Sequence, residues 1–303
     1  MDPLVFVLVA GAAVLHVTWN VILKTAGDPL RAAAVGMATA ACVICPLAAV
    51  AWLAIGRPTV STEALVLSVV SGLLEAIYFG FLAAAYRRGD LSMVYPLARG
   101  SAPLLAVAIG VVVLGERLGP VGYVGVGALL VGLLALQRPW RFLQASGRKS
   151  EGAAGFALLT GVAIAAYSAV DRVGVRATEP WIYAGLIWAS GTVFLWSYVW
   201  VYRRQRRRTA TKAPSPAGSE DRAFEPRRAG VGGLITLGAY MLILTAFTVA
   251  PLTAVAPLRE SAIVLASGWG SFRLGEAADR AEGLRRIGAA ALVVVGAILL
   301  AID

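Results

Sequence analysis

Apolar runs of about 20 residues recur along the whole chain, and each is long enough to cross about 30 Å of hydrocarbon as an α-helix. Only helices and closed barrels satisfy every backbone group in lipid, and the alternating ten-residue segments of a barrel do not occur. The sequence therefore predicts an all-α membrane protein with ten transmembrane helices. The ten runs cover residues 4–23, 32–55, 64–85, 91–114, 119–137, 153–171, 181–202, 230–249, 252–272 and 284–302.

The composition fits a protein with little sequence outside the bilayer. Hydrophobic residues make up 59% of the 303 residues and charged residues 15%, against about 25% charged in a soluble domain. The net charge of +10 lies mainly in loops. It therefore reports orientation in a membrane and not nucleic-acid binding. We expect a small-molecule substrate and the lipid bilayer as partners, no nucleic acid, and a monomer or homodimer.

One segment of the chain occurs twice. Residues 91–116 read LSMVYPLARGSAPLLAVAIGVVVLGE, and residues 252–276 read LTAVAPLRESAIVLASGWGSFRLGE. Five runs fall in each half, so the two halves must have opposite orientations in the membrane. This pattern predicts two inverted five-helix repeats around a central cavity, with helices broken at Pro96 and Pro257.

The repeat also sets the predicted domain boundaries and orientation. The first repeat covers residues 1–138, an inter-repeat loop 139–151, and the second repeat 152–303, with a basic, disordered loop at 203–229. Loops after odd-numbered runs hold 21 of the 27 Lys and Arg residues, and loops on the opposite side hold four. The positive-inside rule therefore predicts that both termini lie outside the cell.

Three charged residues inside apolar runs are the first candidates for a site. Glu75 lies in the middle of the third run, and Arg99 and Arg259 follow Pro-Leu in the two repeat copies. Glu75 could carry a coupling proton or contact a substrate amine, and the arginines could hold a carboxylate or phosphate. The alternative is structural pairing of Glu75 with Arg99 and of Arg259 with Glu260. Glu260 could instead complete a charge network across the halves.

Other candidates come from helical spacing and aromatic character. His16, Trp19 and Asn20 share one face of a helix, which suits either a cavity wall or hydrogen bonding between helices. Tyr78, Tyr95 and Tyr240 are candidates for the cavity wall, with aromatic packing as the alternative.

The remaining polar groups fit structural roles. Asp171 and Arg172 read as a solvated helix end, and Glu116 and Glu276 as helix caps or ion-pair partners at turns. Cys42 and Cys45 form a C-x-x-C without further ligands, so packing is favoured over redox or metal chemistry. We expect no metal and no cofactor.

Several segments resemble the EamA-like branch of the drug/metabolite transporter superfamily. They are LHVTWNVILK, AYRRGDLSMVYPLARGSAPLL, LGERLG and VAPLRESA. The opening MDPLVFVLVAGAAVLHVTWN also resembles a subgroup associated with phosphonate utilisation. The resemblance implies a secondary transporter, usually an exporter, with a cavity lined by the first, third, fourth, sixth, eighth and ninth spans. It also implies cytoplasmic termini, which the charge count contradicts.

The function predicted from these observations is secondary transport of a small polar, anionic or zwitterionic metabolite across the cytoplasmic membrane. Export by alternating access, coupled to protons or exchange, is the favoured form. A passive channel is the alternative. An enzyme is disfavoured, because the chain has one histidine and lacks a recognisable catalytic motif.

Overall fold

The computed structural model describes residues 2–25, 28–86, 88, 91–138, 148–210, 224–260 and 280–303. These residues form ten α-helices and no strand. The helices are α1 Pro3–Thr25, α2 Pro29–Ala54, α3 Thr62–Tyr86, α4 Leu91–Val112, α5 Pro120–Gln137, α6 Arg148–Gly174, α7 Pro180–Ala210, α8 Pro226–Val249, α9 Leu252–Glu260 and α10 Arg280–Ile302. The predicted all-α architecture is confirmed.

Five of the described helices, α2, α3, α6, α7 and α8, are long and apolar enough to cross a membrane. Shorter apolar stretches lie in α1, α4, α5 and α10. The ninth predicted run continues beyond Glu260, where it lies outside the described residues. The protein is a multi-pass membrane protein.

Proline marks the start of several helices, because its fixed φ suits the first turn and its missing N–H is not needed there. Pro29 opens α2 after Asp28, whose carboxylate accepts a hydrogen bond from the Arg31 backbone N–H at 3.2 Å. Pro120 and Pro226 open α5 and α8, without a side-chain hydrogen bond from the preceding residue. The prediction of helices broken at proline is wrong for the described residues. The backbone is helical on both sides of Pro96 in α4 and of Pro257 in α9.

Helix packing follows the repeat. If α1 to α5 correspond to α6 to α10, the largest contacts between the halves have equivalents: α3 packs on α6 and α7, and α8 packs on α1 and α2. The corresponding pairs α2–α7, α4–α9 and α5–α10 also pack together. The main packing of the described helices therefore joins one half to the other.

Glycines allow the closest of these crossings. A Cβ added at Gly72 in α3 would lie 2.7 Å from the Gly191 nitrogen in α7. At the equivalent crossing of α8 and α2, a Cβ added at Gly233 would overlap the backbone of Gly36. Small residues let membrane helices approach closely, and here they fix the distance between the two halves.

Candidate functional site

A cavity of about 40 Å³ lies between the two halves. It has room for only a few water molecules. Six of the residues predicted from the sequence line it: His16, Trp19, Glu75, Tyr78, Tyr240 and Arg259. The other described lining residues are Ala12, Phe79, Tyr167, Trp188, Thr236, Ala239 and Ile243.

The helices that supply this lining differ in part from the expected set. Described residues of α1, α3, α6, α8 and α9 line the cavity as expected, and α7 adds Trp188. No described residue of α4 belongs to the lining. The side chains of Asn20, Tyr95 and Glu260 lie outside the described residues, so their predicted roles stay predictions.

Arg99 is buried at 5% exposure and contacts His16. Its guanidinium can only donate hydrogen bonds, so His16 Nε2 is the acceptor of this bond. His16 in turn lines the cavity. The His16 imidazole therefore lies between the Arg99 guanidinium and the cavity.

Arg259, at the equivalent place in the second repeat, lines the cavity directly. Its side chain is 9% exposed, and Nη1 lies 3.4 Å from the hydroxyl of Ser168 in α6. An arginine stays charged when it is buried. This site therefore places a permanent positive charge at the cavity surface.

Glu75 faces the cavity from α3 and lies close to Tyr240 and Asp171. It is buried at 6% exposure. Two carboxyl groups from different helices thus share the space around one tyrosine hydroxyl. This arrangement suits a group that binds and releases a proton.

The prediction that Asp171 is a solvated helix end is wrong. Asp171 is 1% exposed, and its carboxylate accepts hydrogen bonds from Ser71 at 2.5 Å, from Tyr183 at 3.4 Å and from Tyr240. Helix α6 continues to Gly174, so Asp171 lies almost a turn inside it. The donors come from α3, α7 and α8, which no local sequence pattern around Asp171 reveals.

Arg172 is also buried rather than solvated, and it belongs to what we term the Glu116 cluster. Its Nε donates to Glu116 Oε1 at 3.2 Å, and its Nη1 donates to the Phe247 carbonyl. Glu116 also accepts from the backbone N–H groups of Leu252 and Thr253, at 2.8 and 2.9 Å. The predicted capping and ion-pair role of Glu116 is confirmed, whereas Glu276 lies outside the described residues. A second cavity, of about 320 Å³, opens beside this cluster.

Aromatic rings form one side of the central cavity. Tyr78 and Tyr167 lie 6.0 Å apart between ring centroids, Tyr167 and Tyr240 6.4 Å, and Trp188 stands perpendicular to Tyr240 at 6.1 Å. Tyr78 and Tyr240 therefore both line the cavity and pack with other rings. The two alternatives drawn from the sequence are compatible.

Three buried side-chain polar atoms have no hydrogen-bond partner within the described part of the chain. They are Trp188 Nε1, Thr236 Oγ1 and Thr253 Oγ1. The first two belong to residues that line the central cavity, and the third does not. Sequence reasoning missed Trp188 and Thr236. A signal existed for Thr236, because pairing Gly72 with Gly233 makes it the counterpart of Glu75.

The cysteines have ordinary environments. Cys42 is exposed, and the Cys45 thiol lies 3.4 Å from the Gly185 carbonyl oxygen in α7. Within the described residues, no three His, Cys, Asp or Glu side chains come together as metal ligands would.

Comparisons with known proteins give a family match over the first part of the chain and a fold. The model of the EamA-like transporter family matches residues 4–137. No curated protein sequence matches the chain. Among solved structures, one crystal structure superimposes with a TM-score of 0.65 and 19% sequence identity, over 98% of this chain and 96% of that chain. At this identity the likeness shows the fold alone.

Proposed function

We propose, from the premise that residues 4–137 belong to the EamA-like transporter family, that the chain is a secondary active transporter. Its substrate is a small polar metabolite, anionic or zwitterionic, which it exports across the cytoplasmic membrane by alternating access. Coupling is to a proton gradient or to exchange. The observation that carries the proposal is the central cavity, where Arg259, Glu75 and His16 meet inside apolar helices.

Charged side chains inside membrane helices are energetically costly, so their presence requires an explanation. Insertion of a single charged side chain at the centre of a membrane helix costs about 2.5 to 3.5 kcal/mol, and such residues mark substrate and ion pathways. An arginine and an ionisable carboxyl line one cavity here. A ligand that carries both signs, or one anionic group beside a protonatable carboxyl, matches that lining.

The size of the cavity supports alternating access over a permanent pore. A volume of about 40 Å³ admits no metabolite larger than a few heavy atoms. The helices must therefore move apart for a substrate to bind. Equivalent glycine crossings, Gly72 with Gly191 and Gly36 with Gly233, offer two matching surfaces about which the halves can rock.

The proposed arrangement in the membrane follows the charge count. Residues 1–138 and 152–303 form the two repeats, joined by residues 139–151, and the 203–229 loop faces the cytoplasm with both termini outside. A cysteine at Ser215, on a background without Cys42 and Cys45, should resist an impermeant maleimide in intact cells. Ready labelling there would reverse the orientation.

A ligand-stabilisation screen followed by flux tests the function. The purified protein is heated with amino acids, phosphonates and nucleotides, and compounds that raise the melting temperature are tested in proteoliposomes. We expect saturable flux that a proton gradient or counter-substrate accelerates. Flux that stays proportional to concentration and ignores both gradients would identify a passive channel instead.

A further inference from the structure

Helix α7 is longer than a single crossing of a bilayer requires. Its 31 residues, Pro180–Ala210, extend about 46 Å, whereas the hydrocarbon core of a bilayer is about 30 Å thick. The last turns of the helix read YRRQRRRTA, with five arginines, and α7 contains no acidic residue. The basic end of the helix must therefore lie outside the hydrocarbon.

Two tryptophans indicate which part of α7 lies in the hydrocarbon. Trp181 is in the first turn, and Trp200 lies about 29 Å further along the helix axis. Tryptophan is enriched at both boundaries between lipid and water, and this spacing matches the thickness of the hydrocarbon core. The Trp200 side chain is 60% exposed, as a ring in contact with lipid would be. Arg203 and Arg204 then lie about 5 to 6 Å beyond the boundary, at the depth of the lipid head groups.

The tryptophan also positions one of these arginines. The Arg204 Cζ lies over the Trp200 ring, 4.9 Å from its centroid. A cation–π contact of this kind places a guanidinium without using a hydrogen-bond acceptor. Both Arg203 and Arg204 are exposed, and neither has a hydrogen bond or ion pair with another described residue. Their N–H groups therefore face whatever surrounds the helix at this depth.

The start of α8, which follows at the same end of the bundle, lacks this arrangement. Arg228 is exposed there, but its Nη1 lies 3.7 Å from the carboxylate of Glu225. Arg227 is exposed in the same turn, and the first two turns of α8 contain no aromatic residue. The arginines of α8 therefore provide an internal comparison for those of α7.

We propose that the basic end of α7, defined by Trp200, Arg203 and Arg204, is a binding surface for the head groups of anionic phospholipids. The planar guanidinium groups donate to phosphate oxygens, which they can hold in a bidentate manner, and Trp200 contacts the boundary with the acyl chains. A bilayer holds such phosphates at the depth where these arginines lie. The inference is independent of the proposed transport cycle, because it requires only that α7 crosses a membrane.

Native mass spectrometry of the purified full chain tests this surface, since it counts bound phospholipids and gives their dissociation constants. Phosphatidylglycerol is the anionic probe, and phosphatidylcholine is the zwitterionic comparison. We expect phosphatidylglycerol to bind about tenfold more tightly or better. The double variant Arg203→Gln with Arg204→Gln should lose about 20-fold in this affinity. Trp200→Leu, which keeps both charges, should lose about threefold.

The double variant Arg227→Gln with Arg228→Gln is the matched control, because it removes the same charge from the same end of the bundle. Its affinity for phosphatidylglycerol should stay within about twofold of wild type. All of the substituted residues are exposed, so every variant should melt near the wild-type temperature in phosphatidylcholine nanodiscs. Equal losses of affinity in the two double variants would reduce the effect to overall charge and overturn the proposal.

Two other results would also overturn it. Wild-type protein that binds phosphatidylglycerol and phosphatidylcholine equally well would show that the arginines do not select an anionic head group. Displacement of phosphatidylglycerol by millimolar inorganic phosphate would show that the surface takes a free anion and not a lipid.

Discussion

Arg99 and Arg259 occupy equivalent positions in the two repeats, yet they meet the central cavity differently. Arg99 contacts His16, and the imidazole lines the cavity in its place. Arg259 contacts Ser168 and lines the cavity itself. Both sequence copies keep the position of the charge, and the neighbouring helices decide whether that residue lines the cavity.

The same contrast holds between α3 and α8. Both keep a glycine at their close crossing, Gly72 and Gly233. One turn further along, both present a residue to the cavity, but α3 supplies Glu75 and α8 supplies Thr236. The scaffold is therefore symmetric and the lining is not.

Substitution by lysine should give the largest difference in transport between the Arg99 site and the Arg259 site. Arg259→Lys should reduce kcat/KM for transport about 100-fold, because the ammonium keeps the charge but loses the bidentate fork beside the ligand. Arg99→Lys, the matched variant, should cost less than tenfold, since His16 intervenes. Both variants should melt near the wild-type temperature. Equal losses in transport would show that the two arginines contribute alike.

Alanine substitutions at the glycine crossings test whether the two halves pack equivalently. Gly72→Ala and Gly233→Ala should each destabilise the protein by about 2 kcal/mol, because the new Cβ has no room at the crossing. Gly127→Ala in α5 should not destabilise the protein, because nothing lies within 4 Å of the added carbon. Thermal unfolding in detergent measures all three. A difference between the two crossing variants larger than their common loss would argue against equivalent roles.

Glu75 and Asp171 are buried carboxyl residues of different halves, and of the two only Glu75 is among the described residues that line the cavity. If a proton gradient accelerates flux in the wild type, Glu75→Gln should abolish that acceleration, because an amide at the cavity cannot exchange a proton. Asp171→Asn should keep that acceleration and lower the melting temperature, since Asp171 ties α3, α7 and α8 to α6. Measuring flux with and without the gradient decides between them. An unchanged gradient response in Glu75→Gln would rule out its coupling role.

The smallest effect is expected at the Glu116 cluster. Glu116→Gln should cost about 1 kcal/mol of stability, because the amide keeps only one of the two oxygens that accept the α9 N–H groups and loses the charge that faces Arg172. Glu63→Gln is the control, since Glu63 is exposed at the same 320 Å³ cavity. Chemical denaturation compares the two. Equal stability of both variants would leave the ion pair without a measurable role.

Much of the cavity lining was predictable, because an ionisable side chain in a membrane helix is costly to expose to lipid. Glu75, Arg259 and His16 are polar exceptions in membrane helices, and the high cost of exposing them to lipid predicts that they face inward. The same logic does not find Trp188, since an aromatic residue is unremarkable in a membrane helix. It also does not find Asp171, because its position near a helix end suggested solvent.

The sequence by itself determined the number of helices, the internal repeat and the places where charge enters the bilayer. These features depend on hydrophobicity and spacing, which are local properties of the chain. Only the tertiary structure decided that Asp171 bonds three other helices, that Arg99 contacts His16, and that Trp188 and Thr236 belong to the cavity lining. These contacts join residues about 10 to 100 positions apart, and they depend on how closely helices cross. That distance is set by glycines on neighbouring helices rather than by the residues that use the cavity.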